Sequence, residues 1–369
     1  MLIGIPKEIK DHEYRVGATA PYVQMLTQAG HQVLVETNAG AAIGFHDAAY
    51  EKAGAKIVPD AKTVYSAEMI IKVKEPQESE YDLLNPDQIL FCYLHLAPDP
   101  QQTEALLKQK IIGIAYETVL DSHGRLPLLT PMSEIAGRIS IQAGATALQM
   151  IHGGKGVLLG GVPGVHPAKV IVIGGGVVGT QAARMAFGLG ADVTLMDRNM
   201  SRLREIDETY RFGIRTLFST PHAVEQAVRS ADLVVGAVLV PGAKAPKLVT
   251  RAMLKGMEPG SVIVDVAIDQ GGCFETSKPT THSDPTYIEE GVVHYCVTNM
   301  PGACARTATM ALTNVTFSYA LSIADKGWKK ALKDDPLLRC GLNTCQGHIT
   351  NEPVAQALGK AYTDPAKFL

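Results

Sequence analysis

The sequence predicts an α/β protein of two domains, each a largely parallel sheet wrapped by helices, and three observations carry that prediction. Short apolar runs rich in β-branched residues alternate with helix-like stretches along most of the chain. A glycine-rich turn joins one such run to a helix near the middle. The length, 369 residues, suggests about two domains and is ample to bury a core in each.

In the first half the apolar runs fall at 2–5, 33–35, 69–73, 89–94 and 111–115. No phosphate-binding glycine turn follows any of them, so this half is expected to hold a substrate and the other half a cofactor. Residues 130–151 read as a helix linking the halves, capped by Thr130 or Ser133 with Pro131 in its first turn, and 152–164 read as a glycine-rich loop. After the central turn, further strand-like runs fall at 233–239, 262–268 and 292–297. From Thr307 the stretch TATMALTNVTFSYALSIADKGWKKAL has helical periodicity and is expected to return to the first domain. The expected division is 1–129 with 307–369 as a discontinuous substrate domain, and 130–306 as the nucleotide-binding one.

The central stretch reads KVIVIGGGVVGTQAARMAFGLGADVTLMD from Lys169 to Asp197. Residues 170–173 suit a strand buried on both faces. In the pattern G-x-G-x-x-G, Gly174 makes the tight turn, Gly176 lets the backbone approach a pyrophosphate, and Gly179 lets helix pack close to strand. The helix that follows, with Ala182, Ala183, Ala186 and Leu189 on its apolar face, directs backbone N–H groups and its positive dipole end at the phosphates. Asp197, at the tip of the next strand, is placed to accept hydrogen bonds from adenosine ribose hydroxyls, and its charge would repel a 2′-phosphate. That favours NAD, although Arg198 and Arg202 close by leave NADP open.

Composition narrows the partner to a small molecule. The formal net charge is −3, and no basic run of the kind that binds phosphate backbones or anionic membranes is present. The N-terminus lacks the layout of a signal peptide, and no apolar run approaches the roughly 18 residues of a membrane span, so a cytoplasmic location is expected. The cysteines, at 92, 273, 296, 304, 340 and 345, lie at neither zinc nor redox spacings and are expected to be reduced thiols, with no metal site.

Four side chains could carry chemistry. Arg15, in a loop between the first strand and a helix starting near Pro21, could grip a carboxylate through two parallel hydrogen bonds, or be a surface charge. Lys74 ends the strand IIKVKEP, at the edge where open α/β sheets present groups to ligands, or is a solvated lysine. His95 ends the strand FCYLHLAPD in a similar place and could move protons near neutral pH, or be a hydrogen-bonded core histidine. Asp269, where VIVDVAIDQGG opens into a glycine turn, could face the nicotinamide or merely cap the turn.

Taken in order, GIPKE then EYRV, IIKVKEP, the glycine turn, GAVLVPGAKAPKL, VDVAIDQGGCFETSKPTTH and YCVTNMPG closely resemble the family that joins the L-alanine dehydrogenases with the NAD(H)-binding part of the proton-translocating transhydrogenases. The resemblance runs from Met1 past Trp328. It implies two Rossmann-like, doubly wound domains with the active site in the cleft between them, usually in a homohexamer. The implied activity is the reversible, NAD-dependent oxidative deamination of L-alanine to pyruvate and ammonium. It further implies that Arg15 and Lys74 hold the substrate, that His95 is the acid/base and that Asp269 assists catalysis. For the cofactor it points to Ser133, Val177, Val178, Asp197, Arg202, Ser219, Val238, Leu239, Ile268, Asp269, Asn299 and Met300, besides Gly174, Gly176 and Gly179. The chain departs from the family pattern at Val178, where alanine is common, and near Asp11 and His12, where asparagine is frequent. Two other readings stand beside this one. A pure NAD(H)-binding subunit would pass hydride to a partner's nucleotide, and an amino-acid dehydrogenase of the same fold would take a longer substrate.

Overall fold

Aliphatic and β-branched runs fold as strands here because both faces of each sheet are covered, so nearly every side chain of the central strands is buried. The computed structural model describes residues 1–238 and 245–369. These strands are β1 (Leu2–Ile5), β2 (Gln32–Glu36), β3 (Lys56–Val58), β4 (Met69–Ile71), β5 (Ile89–Cys92) and β6 (Ile112–Ala115). Next come β7 (Lys169–Ile173), β8 (Asp192–Asp197), β9 (Arg215–Phe218), β10 (Leu233–Gly236), β11 (Val262–Asp265), β12 (Thr286–Glu289) and β13 (Val292–Tyr295). Last are β14 (Leu342–Cys345) and β15 (His348–Ile349).

The chain divides into two compact units, Met1–Met132 with Cys304–Leu369 and Ser133–Ala303. The sheet of the first unit runs β15-β14-β6-β5-β4-β1-β2-β3. From β3 to β6 it is parallel, with β1 lying between β2 and β4. The chain leaves β1 toward one side and later returns on the other, which makes the β1/β4 boundary a topological switch point. The second sheet runs β12-β13-β11-β10-β7-β8-β9, with the equivalent boundary between β7 and β10. Both units are therefore Rossmann-like. Antiparallel additions extend each, β12 on β13 and the pair β14 and β15 beside β6.

Several expected boundaries move. The helix expected over 130–151 is Thr130–Ala147, followed by a short turn at Met150–His152. Gly153 takes a φ of 87°, and the N–H groups of Gly154 and Gly156 donate back to the carbonyls of Gln149 and Leu148, so the chain folds over the helix end. The Thr130 hydroxyl donates to the Leu126 carbonyl at 2.9 Å, behind the helix. The helix expected from Thr307 starts at Ala305 and breaks at Gly327, whose φ of 73° separates Ala305–Lys326 from Trp328–Asp334. Leu189, expected on a buried face, is an exposed residue at the end of the helix Val177–Gly188. Among the described residues no helix is long and apolar enough to cross a membrane, and all six cysteines are free thiols.

Candidate active site

The strands expected at 69–73 and 89–94 stop at Ile71 and Cys92, and two carboxylates are the reason. Glu8 accepts the N–H groups of Val73 and Lys74 at 2.7 and 3.2 Å. Glu117 accepts those of Leu94 and His95, the latter at 2.7 Å. Backbone donors that would have continued the ladder are held by side chains instead. Lys74 and His95 accordingly lie three residues beyond their strands, on clamped segments at the carboxyl edge of the sheet. His95 adopts a left-handed backbone with φ 48°, and its ring stacks on Tyr93 at 5.8 Å between centroids. Its side chain is 43% exposed, with Nδ1 3.9 Å from Glu117, so the bland reading of a core histidine does not hold.

Arg15, carried by the loop after β1, is not a surface charge: it is 2% exposed. Glu13, two residues before it, accepts from Nε at 2.6 Å and from Nη2 through its second oxygen, a fork-on-fork pairing. Nη1 donates to the Met132 sulfur at 3.1 Å. Burial alone would lower the Arg15 pKa, but the bonds and charge of Glu13 outweigh it and hold the guanidinium charged. Arg15→Ala would leave Glu13 buried without this partner, and the expected cost is about 3 to 5 kcal/mol of unfolding free energy. Urea melts of the two proteins would measure it; a loss below about 1 kcal/mol would show that water reaches Glu13.

Beside these loops lies a buried cation the sequence reading passed over. Lys72 is fully buried, 2.7 Å from Glu80 and 3.3 Å from Glu8. The Tyr65 hydroxyl also donates to Glu80, at 2.8 Å. Burial opposes the charge on Lys72, yet Glu8, Tyr65 and Glu80 together keep its pKa well above the usual lysine range. Burial pushes the Glu8 carboxyl above its ordinary range, against the pull of Lys72.

In the second unit the glycine turn follows β7 at the β7/β10 boundary, and each glycine has a distinct steric reason. Gly174 has φ 107°, and a Cβ there would meet the Ala237 carbonyl at 2.6 Å. A Cβ on Gly179 would lie 1.7 Å from the Gly174 carbonyl oxygen. Around Gly176 a Cβ would meet nothing within 4 Å, the open space that a bound phosphate group needs. Val177 and Val178 begin the helix that Gly176 precedes, whose first turn carries N–H groups with no side-chain cap at Gly176. Asp197 ends β8 and accepts from the N–H of Gly175 at 2.6 Å and of Asn199 at 2.7 Å. Arg202 donates to the Gly175 carbonyl and to the Thr180 hydroxyl, both at 2.6 Å, and pairs with Glu205. Arg198 is exposed.

The remaining candidates surround this turn or lie on the loops of the same unit. Ser133 stands one helical turn before Gly137, where a Cβ would meet the Val178 carbonyl at 2.2 Å, so its helix packs tightly against the start of the helix Val177–Gly188. Ser219 donates its N–H to the Asp197 carbonyl at 3.0 Å, and Val238 packs beside Gly174. Leu239 lies outside the described residues. Ile268 and Met300 are buried, while Asp269 is exposed and accepts the Asn299 N–H at 3.4 Å. Asn299 has φ 57°. The turn near Asp269 is capped by Asp265, which accepts from Ala267, Cys273 and Ser277 at 3.0, 2.9 and 2.5 Å.

Model descriptions of two domain families match the chain: "Alanine dehydrogenase/PNT, N-terminal domain" over residues 4–136 and "Alanine dehydrogenase/PNT, C-terminal domain" over 140–352. An alanine dehydrogenase of Halomonas elongata is 56% identical over 370 residues, covering 100% of both chains. A solved L-alanine dehydrogenase superposes with a TM-score of 0.95 at 52% identity, over 97% of this chain and 99% of that one. A transhydrogenase structure from Sinorhizobium meliloti gives 0.81 at 25% identity, over 95% and 99%. Two domain matches that together span most of the chain, and a relative this similar from end to end, show that the protein belongs to the alanine dehydrogenase/PNT family.

Proposed function

We propose that the protein interconverts L-alanine with pyruvate and ammonium, using NAD as the hydride carrier. The observation that carries the proposal is the grouping of Arg15, Lys74 and His95 on loops at the carboxyl edge of one sheet, around its switch point, in a chain 56% identical to an alanine dehydrogenase. Arg15 and Lys74 fix the substrate carboxylate and carbonyl oxygen. A carboxylate is a far stronger acceptor than the thioether of Met132, so it takes the place of that sulfur at Nη1. His95 removes a proton from the water that adds to the imine carbon and returns one to the nitrogen that leaves as ammonia. Asp269, exposed and bonded to Asn299, assists that proton traffic.

The residues around the glycine turn suit a dinucleotide, since the space at Gly176 is open and the carboxylate at the end of β8 is in place. Gly174, Gly176, Val177, Val178 and Gly179 would hold the pyrophosphate. Ser133, Arg202, Ser219, Val238, Ile268, Asn299 and Met300 would line the rest. Asp197 keeps lone pairs for the ribose hydroxyls, while Arg202 is already engaged with the turn and with Glu205, which supports NAD over NADP. When bound, the nicotinamide accepts hydride from Cα of alanine and returns it in the reverse direction. By the same family resemblance the protein is proposed to act as a cytoplasmic homohexamer.

The test is NADH consumption with pyruvate and ammonium, omitting each in turn and replacing pyruvate by other 2-oxo acids and NADH by NADPH. Activity that needs both substrates and is greatest with pyruvate supports the reading; NADH binding without turnover on any oxo acid would make the chain a binding subunit. In the forward direction the substrate amine must be neutral before hydride leaves. Oxidation of alanine at saturating substrate is therefore expected to accelerate as pH rises above neutrality, and a rate flat from mildly acidic to alkaline pH would overturn that step.

A further inference from the structure

We propose that Glu8, anchored by the buried Lys72, is a positioning residue that sets Lys74 for the substrate. The inference rests on the reading of Lys74 as a substrate-holding group. Glu8 lies on the loop after β1, the loop that also carries Arg15, and is itself buried. One of its oxygens faces Lys72 at 3.3 Å; the other accepts the N–H groups of Val73 and Lys74. The Val73 carbonyl in turn accepts the N–H of Tyr93 at 3.1 Å, on the segment that continues to His95. Val73 is thus held from both sides, by Glu8 through its N–H and by the His95 segment through its carbonyl.

Stability alone does not account for this arrangement. Replacing a buried ion pair by apolar side chains of similar volume is often neutral or stabilising, so a buried lysine paired with two buried glutamates is a weak contributor to folding. What the network provides is geometry. A hydrocarbon in place of Lys72 would fill the space but would leave Glu8 without the cation that aims its second oxygen at the two amides. Tyr65 bonds Glu80, Glu80 holds Lys72, Lys72 faces Glu8, Glu8 holds the backbone of residue 74, and the cation follows from that backbone. Misplacing a substrate-orienting group by about an ångström can cost as much as about a hundredfold in rate.

The test is a double-mutant cycle between Glu8→Gln and Lys74→Ala in the full-length protein, read as the pyruvate KM and kcat at saturating NADH and ammonium, with NADH affinity measured by fluorescence. Glu8→Gln keeps an acceptor oxygen for the two amides and removes the charge facing Lys72. It is expected to raise the pyruvate KM about tenfold with NADH affinity unchanged. In the Lys74→Ala background the same change is expected to add less than about twofold, because residues that act through one another are not additive. An equal tenfold effect in both backgrounds, or none in either, would overturn the proposal and leave Glu8 a purely structural residue. Lys74→Ala alone with an unchanged pyruvate KM would remove the premise, a failure distinguishable from the first because it needs no change at Glu8. Should Glu8→Gln lose NADH binding, Glu8→Asp takes its place in the cycle, and loss of binding in both variants would also overturn the positioning role.

Discussion

Replacing His95 by alanine is expected to lower turnover by about two to four decades while leaving NADH affinity nearly unchanged, if the ring moves the protons of water and ammonia. The structure separates the ring from the backbone that carries it. The segment is held by Glu117 through the N–H groups of Leu94 and His95, backbone bonds that alanine or asparagine at position 95 retains. The ring itself is 43% exposed and stacks on Tyr93, a contact whose loss costs little. One complication is the φ of 48°, since alanine pays about 1 to 2 kcal/mol in the left-handed region. His95→Asn removes that ambiguity, because asparagine tolerates this conformation and still cannot act as a general base. Loss of turnover with retained NADH binding in both variants supports the acid/base role. Loss of NADH binding in both would make His95 a structural residue.

Much of the fold was legible because periodicity and glycine chemistry are local. The runs at 2–5 and 170–173 match β1 and the interior of β7, and the glycine turn sits where its pattern places it. Strands with weaker signals were not. β9 is largely exposed, β12 is an edge strand antiparallel to β13, and β15 is two residues long, so none forms a buried apolar run. Strand ends were overestimated for a non-local reason. Nothing in IIKVKEP says that Glu8, some sixty residues earlier, will take the N–H groups of Val73 and Lys74.

The candidate site divides in the same way. Arg15, Lys74 and His95 were visible as polar residues following apolar strands, a pattern that marks the ligand edge of an open sheet. Their supports were not. Glu13 had a weak signal in being two residues from Arg15, and Lys72 had one in being a lysine within an apolar run, where burial demands a partner. Glu8, Glu80 and Glu117 gave none, because a buried carboxylate and a solvated one look alike in sequence. Asp265 shows the cost of that blindness. The capping considered for Asp269 belongs to it, four residues upstream.

The glycine turn supplies the second large effect, and it comes as a contrast between two alanine substitutions. At Gly179 a methyl group would lie 1.7 Å from the Gly174 carbonyl oxygen, and backbone cannot yield as a flexible side chain can. Overpacking of this kind typically costs about 1 to 3 kcal/mol and occasionally more, so Gly179→Ala is expected to melt early and to lose NADH binding as the turn shifts. At Gly176, with φ −66° and nothing within 4 Å, alanine is sterically free in the protein alone. Gly176→Ala is therefore expected to keep its stability to within about 0.5 kcal/mol. Its methyl would occupy the space proposed for the pyrophosphate, so NADH affinity is expected to fall about tenfold or more, roughly 1.4 kcal/mol. Thermal melts and NADH fluorescence titrations on the two variants separate the steric demand of the fold from that of the ligand. Normal NADH affinity in Gly176→Ala would mean that the nucleotide does not approach this turn, and an unaltered melt of Gly179→Ala would mean that the turn relaxes around a side chain.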